Sequence, residues 1–220
     1  MDELWQSLKT NPYSGWLSVP GTQGSGLPKL KPDHRVIWVG IGGSLLPADS
    51  LVRMFASSDQ LSRWMTLASP EDLESFQLQV DDQIVFASKS GNTLELWSWL
   101  GKLVHMPAFE KLTQKPIVIT EANQNPLHEL AKTKKWIIVD MPINIGGRYS
   151  VFSPIGYLPL AWLDKNVNAF VQGGQGVVDE LDAGKGPWFN IVYSLHRLWL
   201  QQYIQGISDW VFMPYSRQLK

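Results

Sequence analysis

The sequence predicts an α/β protein: a doubly wound, mostly parallel five-stranded sheet with helices on both faces, a three-layer sandwich. Short runs that are apolar on both faces recur near Val36, Trp64, Ile84, Ile117 and Ile137, as in strands of a parallel sheet covered on each side. Helical spacing follows the strands, and right-handed crossovers make the doubly wound arrangement the simplest topology. Glycine- and serine-rich turns follow the first and third strands, at the sheet edge where such folds bind ligands.

Taken in order, Asp2 to Leu8 fits a short helix, and Asn11 to Lys31 is dense in Gly, Pro and Ser without a sustained period. Residues 1–33 are therefore read as an N-terminal arm or linker and residues 34–220 as the domain. Arg35 to Val39 forms the first strand, broken by Gly40-Ile41-Gly42-Gly43-Ser44 and followed by Leu51, Val52 and Phe55 at helical spacing. Trp64 to Ala68 forms the second, and Ser69-Pro70-Glu71 is a start signal for a short helix. Ile84 to Ala87 is the third, and its helix runs through Leu94, Trp97, Leu100 and Val104 to stop near Met106-Pro107. Pro116 to Thr120 and Trp136 to Val139 are the fourth and fifth, with a helix between them from about Pro126. Beyond, Ser153-Pro154 opens a helix, Val167 to Leu181 forms another, and Trp188 to Tyr203 a third with a stripe at Ile191, Leu195, Leu198 and Tyr203. Trp210 to Met213 reads as a last strand.

With a net charge of −1 over 220 residues, there is no electrostatic reason to expect nucleic acid or a membrane surface as partner. The absence of cysteine rules out disulfides and thiolate chemistry. Met1-Asp2-Glu3 lacks the apolar stretch of a signal peptide, so the cytoplasm is the expected location. Eleven tryptophans suit either large buried packing pieces or an interface. His34, His105, His128 and His196 lack metal-ligand spacing, and Asp81-Asp82 and Asp179-Glu180 read as solvated surface.

The stretch after the third strand, Ser88-Lys89-Ser90-Gly91-Asn92-Thr93, brings hydroxyls, a lysine and a permissive glycine to a helix start. Free amides and the helix macrodipole favour an anion there, and phosphate is the natural guest. An ordinary capped turn accounts for the same residues. The first glycine loop fails the dinucleotide fingerprint because Leu45 replaces the third glycine; it also lacks a Walker lysine and a nucleophile elbow. In Asn144-Ile145-Gly146-Gly147-Arg148-Tyr149-Ser150 two glycines permit a turn that projects an arginine toward the ligand edge, or leaves it in a surface ion pair.

These three blocks, the last continuing to Ser153-Pro154-Ile155-Gly156, resemble the phosphoglucose isomerase family in the same order, as does Pro214-Tyr215-Ser216. The third block is the most specific; the second is shared more widely among sugar isomerase (SIS) domains. The resemblance covers about Val36 to Leu219 and implies a SIS-type domain. It implies interconversion of glucose 6-phosphate and fructose 6-phosphate through an enediolate, with no metal or nucleotide cofactor. Gly43, Ser44, Ser88, Lys89, Ser90, Gly91, Asn92 and Thr93 would hold the sugar phosphate, and Arg148 would stabilise the enediolate. Asn92 stands where many members have threonine. The general base, in a Glu-Ser-x-Gly-Lys motif, is expected beyond Lys220, so the isolated chain is expected to be inactive and the full-length form a homodimer. The alternatives are a non-catalytic sugar-phosphate-binding SIS module and a phosphomannose or aminosugar isomerase relative.

Overall fold

The computed structural model describes residues 2–18, 26–69 and 76–211. Its five strands are β1 (Val36–Val39), β2 (Trp64–Leu67), β3 (Gln83–Ala87), β4 (Ile117–Glu121) and β5 (Ile137–Met141). They pair in the order β2-β1-β3-β4-β5 and every pairing is parallel. The expected α/β sheet is thus observed. β1 continues to β2 on one side and β3 lies on its other side, so the strand order reverses between β1 and β3. At such a switch point a crevice opens beyond the strand C-termini.

Alternate strand residues feed two cores. Val36 and Trp38 of β1, with Val85, Ala87, Ile117 and Ile119, pack under α2 (Leu46–Phe55) and α6 (Pro154–Trp162). Ile37 and Val39, with Ile84, Phe86 and Val118, pack under α4 (Leu94–Val104) and α5 (Pro126–Lys134). Burial on both faces explains why these runs lack polar alternation. Ser57 and Gln60 form a reciprocal capping box that starts a short helix, α3 (Ser58–Ser62), legible as Ser-x-x-Gln but absent from the expected elements.

Several expectations need correction. Helix α4 covers the expected residues, but it buries Leu96, Trp99, Leu100 and Leu103, and Leu94 is 79% exposed. Apolar residues on more than one side of this helix left its rotation undecided in the sequence. Asp82 is buried, its carboxylate gripped by Arg35 Nε at 2.8 Å and Nη2 at 2.7 Å, whereas a solvated surface was expected. Trp210 and Val211 are exposed and outside any strand; Phe212 and Met213 lie outside the described residues, as do the helix expected after Pro70 and Pro214-Tyr215-Ser216.

The remaining helices are α1 (Asp2–Thr10), α7 (Val167–Ala183) and α8 (Pro187–Ile204). Trp5 Nε1 and Lys9 Nζ both donate to Asp182 Oδ1, at 2.8 and 2.6 Å, which ties α1 to α7. The Lys9 and Trp5 hydrogen bonds hold that carboxyl below its ordinary range. Glu180 of α7 accepts from the amides of Trp188 and Phe189 and so caps the start of α8. The stripe Ile191, Leu195, Leu198 and Tyr203 lies on α8 as expected but stays exposed. The tryptophans divide accordingly: Trp38, Trp64, Trp99 and Trp162 are core pieces, and Trp188, Trp199 and Trp210 are exposed. No helix among the described residues is long and apolar enough to cross a membrane.

Candidate functional site

The loop after β3 folds on itself before α4 begins. The buried hydroxyl of Ser88 shares a 2.7 Å hydrogen bond with Thr93 Oγ1 and accepts from the Gly91 amide at 3.2 Å. Thr93 is the N-cap residue of α4, yet its side chain makes no capping bond, being drawn toward Ser88. The first turn of α4 therefore keeps its amides uncapped by any side chain among the described residues, which an ordinary serine or threonine cap would not do. Gly91 has φ +66°, and a Cβ there would lie 1.8 Å from Asn125 Oδ1. Only glycine fits that approach.

Asn125 is buried and caps α5 through the His128 amide at 2.9 Å, while its Nδ2 donates to Thr120 Oγ1 and the Glu121 carbonyl. The end of β4 is bound to the β3 loop by the Glu121 amide, which donates to the Lys89 carbonyl at 3.1 Å, and Asn125 packs close against Gly91 of that loop. Lys89 Nζ lies 3.2 Å from Glu121 Oε1, donates to the Ile143 carbonyl at 3.0 Å and sits over the Tyr13 ring.

The other two glycine blocks meet directly. A Cβ on Gly43 would lie 2.0 Å from the Gly147 carbonyl oxygen, and the Ser150 hydroxyl donates to the Gly43 carbonyl. Ser153 caps α6 at the Ile155 amide and donates to the Ser150 carbonyl at 2.6 Å. Arg148 rides on a 3-10 helix, Gly147–Phe152, fixed by these bonds and by Tyr149 stacked on Trp16 at 4.9 Å. Its side chain is exposed and forms no ion pair among the described residues, so the surface ion pair considered from the sequence is not found among them.

A crevice of about 430 Å³ opens at this edge, lined by Tyr13, Ser44, Lys89, Ser90, Thr93, Glu121 and Ile143. Of the residues singled out in the sequence, Ser44, Lys89, Ser90 and Thr93 face it. Ser88 and Gly91 are buried beneath it, shaping the loop, and Asn92 is exposed with its amide donating to Ser90 Oγ at 3.3 Å. Gly43 and Arg148 lie on the adjoining Gly43–Gly147 contact. Sequence reasoning missed Tyr13 and Glu121. Tyr13 arrives because Ser14 bridges Ile145 and the Gly15 amide donates to the Asn144 carbonyl at 2.8 Å. No local signal could have announced that pairing, whereas Glu121, the last residue of a strand in an α/β sheet, stood at the ligand edge.

Fold and crevice together define an open, doubly wound α/β protein whose sheet edge, beyond the strand C-termini, offers a cation and, among the described residues, uncapped amides at the switch point. The chain is similar to curated proteins named glucose-6-phosphate isomerase, the family that its three glycine blocks resemble. It is 26% identical over 200 residues to a probable glucose-6-phosphate isomerase of Methanococcus maripaludis, covering 85% of this chain and 44% of that protein. It is 28% identical over 192 residues to glucose-6-phosphate isomerase of Mycoplasmopsis pulmonis, covering 77% and 45%. With the Staphylococcus aureus enzyme it shares 26% over 232 residues, covering 94% and 52%. The chain thus spans about half the length of the curated relatives it matches. A solved structure described as a hypothetical protein from Thermus thermophilus shares the fold, with a TM-score of 0.66 and 24% identity over 85% of this chain and 48% of that one. No family model matches the chain.

Proposed function

We propose that this chain is the sugar-phosphate-binding part of a glucose-6-phosphate isomerase-like enzyme, which interconverts glucose 6-phosphate and fructose 6-phosphate through an enediolate. The observation that carries this reading is the uncapped start of α4 beside Lys89, in a crevice at the sheet's switch point. Helix amides and a lysine suit a phosphate dianion. Ser44, Ser90 and Thr93 at the crevice wall supply hydroxyl donors, and the buried Ser88 and Gly91 hold the loop in the shape that exposes them.

Isomerisation removes the proton on C2 of the open-chain sugar and moves the electron pair toward the C1 oxygen. A proton then returns at C1 while the C2 hydroxyl proton passes to the C1 oxygen, leaving the carbonyl at C2. The intermediate carries negative charge on oxygen, and a fixed cation that is not already paired is the group that stabilises it. Arg148 fits that requirement: it has no ion pair among the described residues and is held on a short helix locked to the Gly43 loop. The general base is assigned, on the resemblance, to the part of the relatives' length that this chain does not span. The complete enzyme is read, on the same ground, as a cytoplasmic homodimer.

The chain is therefore expected to bind sugar phosphate without converting it. Incubation with glucose 6-phosphate in deuterated water, with the C2 proton followed by NMR, tests this directly. Glucose 6-phosphate should raise the unfolding temperature while the C2 proton persists. C2 exchange above buffer that disappears in Glu95→Gln or Glu121→Gln would place the base within this chain, and equal thermal responses to glucose and glucose 6-phosphate would remove the phosphate site.

A further inference from the structure

One wall of the crevice is at odds with a site for a bare anion. Glu121 ends β4, lines the crevice and is only 9% exposed. Its carboxylate lies 3.2 Å from Lys89 Nζ through Oε1 and accepts from Asn123 Nδ2 at 2.8 Å through Oε2. A carboxylate beside the lysine repels a phosphate and offsets much of the attraction the lysine offers. Holding Lys89 in place does not by itself require a charge, because that ammonium also donates to the Ile143 carbonyl and lies over Tyr13. An ionised carboxylate has about four acceptor positions; Glu121 accepts one hydrogen bond, at Oε2, and faces the Lys89 ammonium as an ion pair through Oε1. The remaining lone pairs can meet groups that present hydrogens, and a sugar presents a row of hydroxyls.

Resting on the phosphate reading of this crevice, we propose that Glu121 is its specificity-determining acceptor. It takes hydroxyl hydrogens of a polyhydroxylated phosphate ester while Lys89 and the α4 amides take the phosphate. The ester separates its phosphate from the hydroxyls that the carboxylate binds. Inorganic phosphate has no such extension and meets the carboxylate's charge without compensation. The crevice therefore selects phosphorylated sugars or polyols over phosphate, sulfate and other compact anions. Asn123 acts as a positioning residue, since its amide fixes the orientation of the carboxylate from the far oxygen.

Calorimetric titration of the 220-residue chain with glucose 6-phosphate and with inorganic phosphate tests this. In Glu121→Gln the affinity for glucose 6-phosphate should fall about tenfold or more, the scale of a lost hydrogen bond to a charged group. Inorganic phosphate should bind as before or more tightly, so the preference for the sugar ester collapses. Parallel losses for both ligands would show that Glu121 is only the counter-ion of Lys89, and an unchanged preference would overturn the proposal as well. Asn123→Ala, which keeps the carboxylate and its charge, guards against a folding defect and should lower the preference in the same direction. If the parent binds neither ligand, the phosphate reading fails and the proposal falls with it. If the parent binds both and the variants keep its preference, only the role of Glu121 is refuted.

Discussion

Replacing Gly43 by alanine tests the contact that joins the first glycine loop to the arginine block. The added Cβ would stand 2.0 Å from the Gly147 carbonyl oxygen and 2.4 Å from its carbon, both backbone atoms. Ordinary contact needs about 3.5 Å, so the two loops must separate by about 1.5 Å. Overpacking of this kind costs about 1–3 kcal/mol. The separation also stretches the Ser150 hydroxyl away from the Gly43 carbonyl, adding about 1 kcal/mol. Together these give about 2–4 kcal/mol, or about 4–16 °C in unfolding temperature for a domain of this size. The same contact approached from the other side behaves differently, because a Cβ on Gly147 meets nothing within 4 Å. Gly147→Ala should leave stability unchanged or raise it by up to about 1 kcal/mol through the unfolded chain. Thermal unfolding of the two variants, with and without glucose 6-phosphate, is the assay. Gly43→Ala should melt lower and lose the ligand response, while Gly147→Ala melts with the parent. Equal melting of the two variants would refute the argument that the blocks are held by backbone contact at Gly43.

Ser88→Ala removes the hydroxyl bonded to Thr93 and to the Gly91 amide, and should destabilise the chain by about 1–3 kcal/mol in denaturant titrations even without ligand. Arg148→Lys should leave stability within about 0.5 kcal/mol, as for an exposed side chain with no ion-pair partner among the described residues, and lower turnover wherever the isomerisation is measured. The buried Tyr157 phenol is pushed up from 10.0 to about 12 by desolvation. The folded state prefers the neutral phenol, so its contribution is whole below pH 10.0 and is lost as pH rises toward about 12. Tyr157→Phe should abolish that alkaline loss in unfolding curves, and at neutral pH should cost nothing because the hydroxyl is buried without a hydrogen-bond partner.

The strands and the glycine- and serine-rich turns that follow them were legible because their signals are local. A run such as Val36 to Val39 is apolar whichever neighbour it pairs with, and the glycines and serines that end it announce a turn within a few residues. The rotation of α4 was not legible: apolar side chains on more than one side fit several phases. The structure sets the phase through the Thr93 to Ser88 bond and the 3.0 Å bond from Trp97 Nε1 to the Gly91 carbonyl. The burial of Asp82 was also hidden, since its partner Arg35 lies 47 residues away and nothing near either residue marks the pair.

The sequence by itself determined the α/β class, the five strands with their intervening turns, and which loops carry hydroxyls, lysine and arginine. Each of those follows from side-chain volume, polarity and backbone freedom read over a few positions. Tertiary structure alone decided which of these residues face a common space. It turned Ser88 inward and left Lys89 and Ser90 at the crevice, brought Tyr13 there from the N-terminal segment, and set Glu121 against Lys89. It also pressed Gly43 onto Gly147 across more than a hundred residues and left the α8 stripe exposed. Such contacts depend on how layers pack in three dimensions, and residue spacing along the chain carries no record of that distance.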